Sequence, residues 1–503
     1  MHNFVERSSD SVAPRAIHRM MRRICVCPLL VVTAVATAWE ASSAHALAYA
    51  RRPNIIFILA DDLGYGDVGC YGQQRIKTPN LDRMAAEGLR FTQAYAGGTV
   101  CAPSRCVLMT GLHVGHARVR GNGDATRPGL ALRADDVTVA RVLQDAGYAT
   151  SLVGKWGLGE ADKNKQGLPR RQGFDYFFGY LKHGHAHNYY PDFLWRNESV
   201  VQLPNVISQD PAHKRNVAEK KVAYSHDLFA EEALEFVRRH RDELFFLYVA
   251  FTIPHANNEA GERGMEVPDY GAYAELDWPE PQKAHAAMIT RMDADIGRLL
   301  KLIAELGIDD DTLVIFSSDN GPHREAGFDA DFNDSNGPLR GYKGGVTEGG
   351  IRVPMIARWP GRVPAGDTTE SPVSFADIMP TLAALCGGNA PDRIDGLDFS
   401  PTLLGSEQPE LADRFFYWEW NKKGLRSQSS RWRQWKAVRN PQTGSLAIYN
   451  LAADVGETRD LSAQRPDIVA KFDDYFRTAR TDSPHWPVAL AARRARSAAP
   501  STP

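Results

Sequence analysis

The chain has 503 residues, a formal net charge of −2, 43% hydrophobic and 24% charged residues. That length allows one large domain plus a smaller one, and the composition is that of an ordinary globular protein. The near-neutral balance excludes a nucleic-acid binder relying on bulk positive charge, and six cysteines are too few for a disulfide framework in so long a chain.

In chain order, residues 1–48 read as a secretory signal. A basic stretch at 18–23 precedes an apolar run at 24–39 and small-x-small cleavage sites ending at Ala46 or Ala48. The polar lead is long for a signal, so translation is expected to start at Met20 or Met21. The run is too short for a membrane span, so the expectation is a cleaved signal, a periplasmic or secreted protein and no stable membrane insertion. Cys70, Cys101, Cys106 and Cys386 remain after cleavage.

Unbroken apolar runs of strand length follow at 54–60, 149–153, 244–250, 312–316 and 353–357. Unbroken rather than alternating runs suit strands covered on both faces. Helical spacing lies between them. Residues 136–146 carry Val137, Ala140, Val142 and Leu143 on one side, and 284–306 carry Met288, Met292, Ile296, Leu299, Leu300 and Ile303. The fold class predicted is α/β, a large mixed, mostly parallel sheet sandwiched by helices. A Gly/Pro linker at 387–391 and a Trp-rich region beyond it predict boundaries of 49–388 for a catalytic domain, 389–480 for a smaller C-terminal α+β subdomain and 481–503 for a disordered tail.

Polar residues sit just beyond the predicted strands. Asp61 and Asp62 follow the first, Lys155 the second, His255 the third, and Asp319 with Asn320 the fourth. Open α/β sheets bind ligands beyond the carboxyl ends of their strands, so these residues should converge on one edge. Asp61, Asp62, Asp319 and Asn320 form an all-oxygen set suited to a hard divalent cation. Either pair alone reads as a turn, and each lone cation or histidine as a solvated charge; the ordered company favours a site.

Cys101, Pro103, Ser104 and Arg105 spell C-x-P-S-R ahead of Met109-Thr110-Gly111. With the acid pairs, Gly154-Lys155-Trp156, Pro254-His255 and Lys343 in G-Y-K-G-G, the chain from Pro53 to about Arg459 resembles the type I sulfatases of the alkaline-phosphatase-like superfamily, particularly a bacterial arylsulfatase and carbohydrate-sulfatase subgroup. The resemblance implies that a formylglycine-generating enzyme oxidises Cys101 to formylglycine (3-oxoalanine). One calcium ion is then held by Asp61, Asp62, Asp319, Asn320 and residue 101. Arg105 holds the aldehyde hydrate, Lys155 and Lys343 contact sulfate, and His255 protonates the leaving oxygen. The implied reaction is hydrolysis of a sulfate monoester, of a sulfated small molecule or glycan. Phosphonate or phosphate ester hydrolysis on the same fold, and a catalytically silent glycan-binding protein, are the competing readings.

One position departs from the family. G-K-W-H-L-G is the usual motif, whereas this chain has Gly157 in place of the histidine. A histidine cluster, His183, His185 and His187, lies further along. His185 and His187 are the expected substitutes, entering the site to contact substrate; His183 is set aside because Gly184 beside it reads as a mobile turn.

Overall fold

The computed structural model describes residues 52–123, 131–159, 165–422 and 424–488. The expected signal segment, with Met20 and Met21, and the tail beyond residue 488 lie outside the described residues.

The described strands are β1 (Asn54–Asp61), β2 (Leu89–Tyr95), β3 (Ala149–Lys155), β4 (Tyr176–Tyr180), β5 (Phe193–Arg196), β6 (Ser199–Gln202), β7 (Val206–Ile207), β8 (Ala218–Lys220) and β9 (Phe245–Pro254). They continue with β10 (Thr312–Ser318), β11 (Arg352–Arg358), β12 (Asp367–Thr369), β13 (Val373–Ser374), β14 (Phe415–Asn421), β15 (Leu425–Trp432), β16 (Trp435–Arg439) and β17 (Leu446–Asn450). An 11-stranded sheet has the order β12-β2-β11-β10-β1-β9-β3-β4-β5-β6, with β13 beside β2. Its centre, β10, β1, β9, β3 and β4, is parallel. β11 runs antiparallel to β10, and β5 to β4.

Alternate residues of β1 show why its sequence is apolar throughout. Ile55, Phe57 and Leu59 enter one core; Ile56, Ile58 and Ala60 enter another on the opposite face. Helices Cys101–Thr110, Val139–Asp145 and Ile378–Cys386 cover the first face. Helices Pro79–Ala86, Ser225–His240 and Glu280–Glu305 cover the second. This is the expected α/β sandwich.

The four-stranded antiparallel sheet β14-β15-β16-β17 and the helix Pro466–Thr478 form the smaller C-terminal part. Tyr417, Trp435, Ala437 and Ile448 join the first core, and Trp418 packs on Tyr95 of β2 with ring centroids 5.0 Å apart. A buried ionic knot ties the two sheets. Lys436 Nζ of β16 lies 2.7 Å from Glu348 and 3.0 Å from Glu457, and all three side chains are fully buried. Within residues 481–488, at the start of the expected tail, Trp486 is buried and donates its indole N–H to Arg118 O at 2.9 Å. No helix of the described residues is long and apolar enough to cross a membrane.

Candidate active site

The parallel strands deliver their ends to one place. Lys155, the last residue of β3, donates from Nζ to Asp61 Oδ2 at 2.6 Å, and Asp61 ends β1. Gly154 before it is obligatory on steric grounds: it has φ +110°, and a Cβ there would stand 2.0 Å from Ala250 O of β9. Asp62, also at positive φ (68°), turns away from the strand and donates its N–H to Asp319 Oδ1 at 3.2 Å. Asp319 follows β10, and Asn320 Nδ2 donates to Asp62 Oδ1 at 2.7 Å.

Cys101 opens the helix Cys101–Thr110 and is fully buried. One turn on, Arg105 donates from Nε and Nη2 to Asp319 Oδ2 at 3.0 and 2.8 Å, and from Nη1 to Lys155 O at 2.8 Å. Asp61, Cys101 and Asp319 offer ligand atoms within 4.8 Å of one another. Burial pushes the Cys101 thiol up to about 11 despite nearby Lys155, so the encoded cysteine is not a ready thiolate nucleophile.

A second cluster completes the wall. Lys343 Nζ donates to Asp62 Oδ2 at 2.7 Å, Glu325 Oε2 at 3.1 Å and His255 Nε2 at 3.0 Å. His255 Nδ1 donates to Ala256 O at 2.6 Å, which leaves Nε2 as the accepting atom. Burial and the Lys343 charge hold His255 well below the usual histidine range. Burial alone would lower Lys343, but Asp62 and Glu325 outweigh it and keep the ammonium charged.

The oxygen set fits a cation. Asp61 Oδ1 and Asn320 Oδ1 are buried without a hydrogen-bond partner, an arrangement buried polar atoms avoid unless a ligand satisfies them. Burial and the adjacent Asp61 also push Asp319 up to about 7, carboxylate crowding that a divalent ion would relieve. The donors are hard oxygens, as calcium prefers.

The three cluster histidines separate. His183, which sequence reasoning set aside, has Nε2 3.2 Å from Cys101 Sγ. Asn122, which that reasoning missed, fixes it: Ala102 N–H donates to Asn122 Oδ1 at 3.1 Å, so Nδ2 faces His183 Nε2 at 2.8 Å as donor. His183 Nδ1 must then carry the proton. A Cβ at Gly157 would meet only His183 Nδ1, at 3.6 Å, so the imidazole stands beside the opening left by that glycine. Gly184 has φ −64° and ψ −32°, a conformation any residue adopts, so the mobile-turn argument does not hold. His187 lines the cleft, stacked 4.7 Å from His255 and bonded through Nδ1 to Glu259 Oε2 at 3.0 Å. His185 packs on Tyr180 and Phe193 instead and is not among the residues lining the cleft.

These groups open into a cleft of about 630 Å³, lined also by Asn122, Tyr342, Gly344, Trp420 and Lys422. Elsewhere, His113, His116 and Asp395 cluster closely enough for a metal. His113 Nδ1 accepts from Gly115 N–H at 3.1 Å, however, so Nε2 bears the proton rather than a lone pair toward Asp395. This is a hydrogen-bonded clamp.

Comparison with known proteins agrees with the architecture. Residues 53–388 match the sulfatase family, and 343–478 match the C-terminal region of N-sulphoglucosamine sulphohydrolase. The chain is 36% identical over 391 residues to human arylsulfatase A, covering 74% of this chain and 72% of that protein. Human steryl-sulfatase is 31% identical over 463 residues, covering 76% and 74%. Among solved structures, Ps i-CgsB in complex with k-i-k-neocarrahexaose superposes with a TM-score of 0.74 at 29% identity, covering 89% of this chain and 97% of that one.

Proposed function

Because the chain belongs to the sulfatase family, and so to the sulfuric ester hydrolases, we propose that it cleaves sulfate monoesters of a carbohydrate. In this reading Cys101 is matured to formylglycine by a formylglycine-generating enzyme. One calcium ion is held by Asp61, Asp62, Asp319, Asn320 and residue 101. What supports the reading is that Cys101 clusters with Asp61 and Asp319, which bind Lys155 and Arg105, that Lys343 and His255 join this cluster through Asp62, and that Asp61 and Asn320 each leave one buried oxygen unpartnered.

Formylglycine supplies a hydrated aldehyde hydroxyl as nucleophile toward sulfur, and calcium supplies charge neutralisation. The chain's own groups do the rest. A sulfate monoester is anionic and repels nucleophiles; Lys155 and Lys343 are fixed cations that offset this, and being prearranged they need no reorganisation as charge develops. Arg105, locked by two bonds to Asp319, orients residue 101. His183 Nε2 stands 3.2 Å from Sγ of that residue and is held there by accepting from Asn122 Nδ2. His255 Nε2 accepts from the Lys343 ammonium, so it can act as the acid toward the leaving oxygen only by first taking a proton from Lys343, which is left as the neutral amine.

The carbohydrate class rests on the cleft, which is large enough for sugar rings, and on the oligosaccharide in the Ps i-CgsB structure. Export to the periplasm or medium follows from the leader read in the sequence. A phosphonate monoester hydrolase superposes with a TM-score of 0.59 at 22% identity, which shows a common fold alone.

The test is sulfate release by protein produced with the maturing enzyme. Peptide mass spectrometry of residue 101 should show formylglycine. Chelation should remove activity and calcium restore it. Phosphonate turnover without sulfate release, or full activity with an unmodified cysteine, would overturn the reading.

A further inference from the structure

The C-terminal sheet sends one strand end into the cleft. Trp420 of β14 and Lys422 just beyond it line the same space as His183, His255 and Lys343.

A Cβ built on Gly344, the residue after Lys343, would lie 3.6 Å from each of Trp420 Cε2, Cζ2 and Nε1. Equal distances of that size to three bonded ring atoms put the point out of the ring plane, over its N–H edge. The indole therefore faces Gly344 across a space that one methyl group would fill, and Gly344 is itself fixed by its N–H donating to Thr99 O at 2.8 Å. Among the described residues no ring or cation stacks on Trp420, and its indole N–H has no hydrogen-bond partner. A cleft-lining ring without a stacking partner, adjacent to Lys343, can receive another flat group.

Charge adds a second property. Lys343 is committed to Asp62 and Glu325, and Arg324 to Asp329 and Asp331. Lys422 is exposed and makes no ion pair among the described residues. It is the cleft's uncommitted lysine.

We propose that Trp420 and Lys422 form a subsite for a glycan carrying more than one anionic group: a sugar ring stacks on Trp420 while a second sulfate, remote from the scissile ester, meets Lys422. This rests on the sulfatase reading and narrows its substrate class to multiply sulfated oligosaccharides. Apolar ring faces stack on indole, and an exposed ammonium adds selectivity for charge more than bulk affinity.

The experiment compares kcat/KM on three probes: a monosulfated monosaccharide, and carrageenan- or glycosaminoglycan-type oligosaccharides with one or two sulfates per disaccharide. Wild type should prefer the disulfated oligosaccharide by about tenfold. Trp420→Ala should reduce the oligosaccharide-to-monosaccharide ratio by about tenfold, and Trp420→Phe by less. Lys422→Met should erase the preference for the second sulfate and flatten its dependence on salt. Equal losses on all probes in Trp420→Ala, an unchanged preference in Lys422→Met, or a wild-type preference for one sulfate would overturn the proposal. Should Trp420→Ala fail to fold, the Lys422→Met comparison decides, since that side chain is exposed. Absence of sulfate release by wild type from every probe, aryl sulfate included, would refute the sulfatase reading instead.

Discussion

Lys436→Met isolates the joint between the two sheets. The ammonium lies 2.7 Å from Glu348 Oε1 and 3.0 Å from Glu457 Oε1, with all three side chains at 0% exposure. Met fills similar volume, so the change removes charge with little cavity. Glu348 keeps Arg352 at 3.3 Å and a hydroxyl donor, Tyr95, at 2.7 Å. Among the described residues Glu457 has no other ion-pair partner. Stranding a buried charge costs about 3–5 kcal/mol, and the lower half applies because Arg352 still serves Glu348. Burial would raise Glu348, but Lys436, Arg352 and Arg431 outweigh it and hold it at about 2. A depressed carboxyl pKa contributes stability above the unfolded value, 4.5, which is lost as pH falls toward the folded value. The penalty should therefore be larger at pH 8 than at pH 3, which lies between the folded and unfolded values. Urea unfolding followed by tryptophan fluorescence at both pH values measures it, and Lys436→Met with Glu457→Gln should recover part of the loss. A variant within about 0.5 kcal/mol of wild type at pH 8 would show that the knot contributes nothing and refute the reasoning.

Other outcomes follow from the site and its scaffold. Cys101→Ala should abolish sulfate release while leaving the melting temperature within a few degrees, since the position opens a helix without a large side chain; residual turnover above trace in contaminant-free protein would sink the nucleophile assignment. His183→Ala should lower kcat/KM by roughly tenfold or more, the scale of one lost hydrogen bond to a charged group. His185→Ala should act on thermal stability instead, and the reverse pattern would restore the sequence expectation. Gly154→Ala should cost roughly 3 kcal/mol or more by combining a positive-φ strain with backbone overlap; soluble protein with a normal melt would contradict the 2.0 Å contact with Ala250 O. Asp319→Ala should weaken calcium retention, measured by metal analysis after dialysis, because it removes a buried anionic oxygen.

The strand ends are the part of the site most legible in the sequence. A parallel strand buried on both faces is an unbroken apolar run, so its end is visible where Asp61, Lys155 or Asp319 interrupts it. Strand direction is not visible: the run at 353–357 reads like the others, yet β11 is antiparallel, because alternation carries no polarity. β2, β4 and β5 escape notice because β2 is partly polar and β4 and β5 are only five and four residues long. His183 is misjudged because local reasoning sees only Gly184, whereas its decisive partner, Asn122, lies 61 residues away. The Trp-rich segment reads correctly as a separate C-terminal region, but that Trp420 reaches the cleft depends on how β14 packs on β2, a long-range fact.

Gly344 facing the Trp420 indole marks a division of labour along the chain. The residues proposed to handle the sulfur centre sit on strand ends and one helix start of the large sheet, while the indole and Lys422 belong to the β14–β15 hairpin and line the same cleft. Changes at Trp420 and Lys422 should therefore shift substrate preference without rebuilding the reactive centre, provided that Trp418 stays seated on Tyr95.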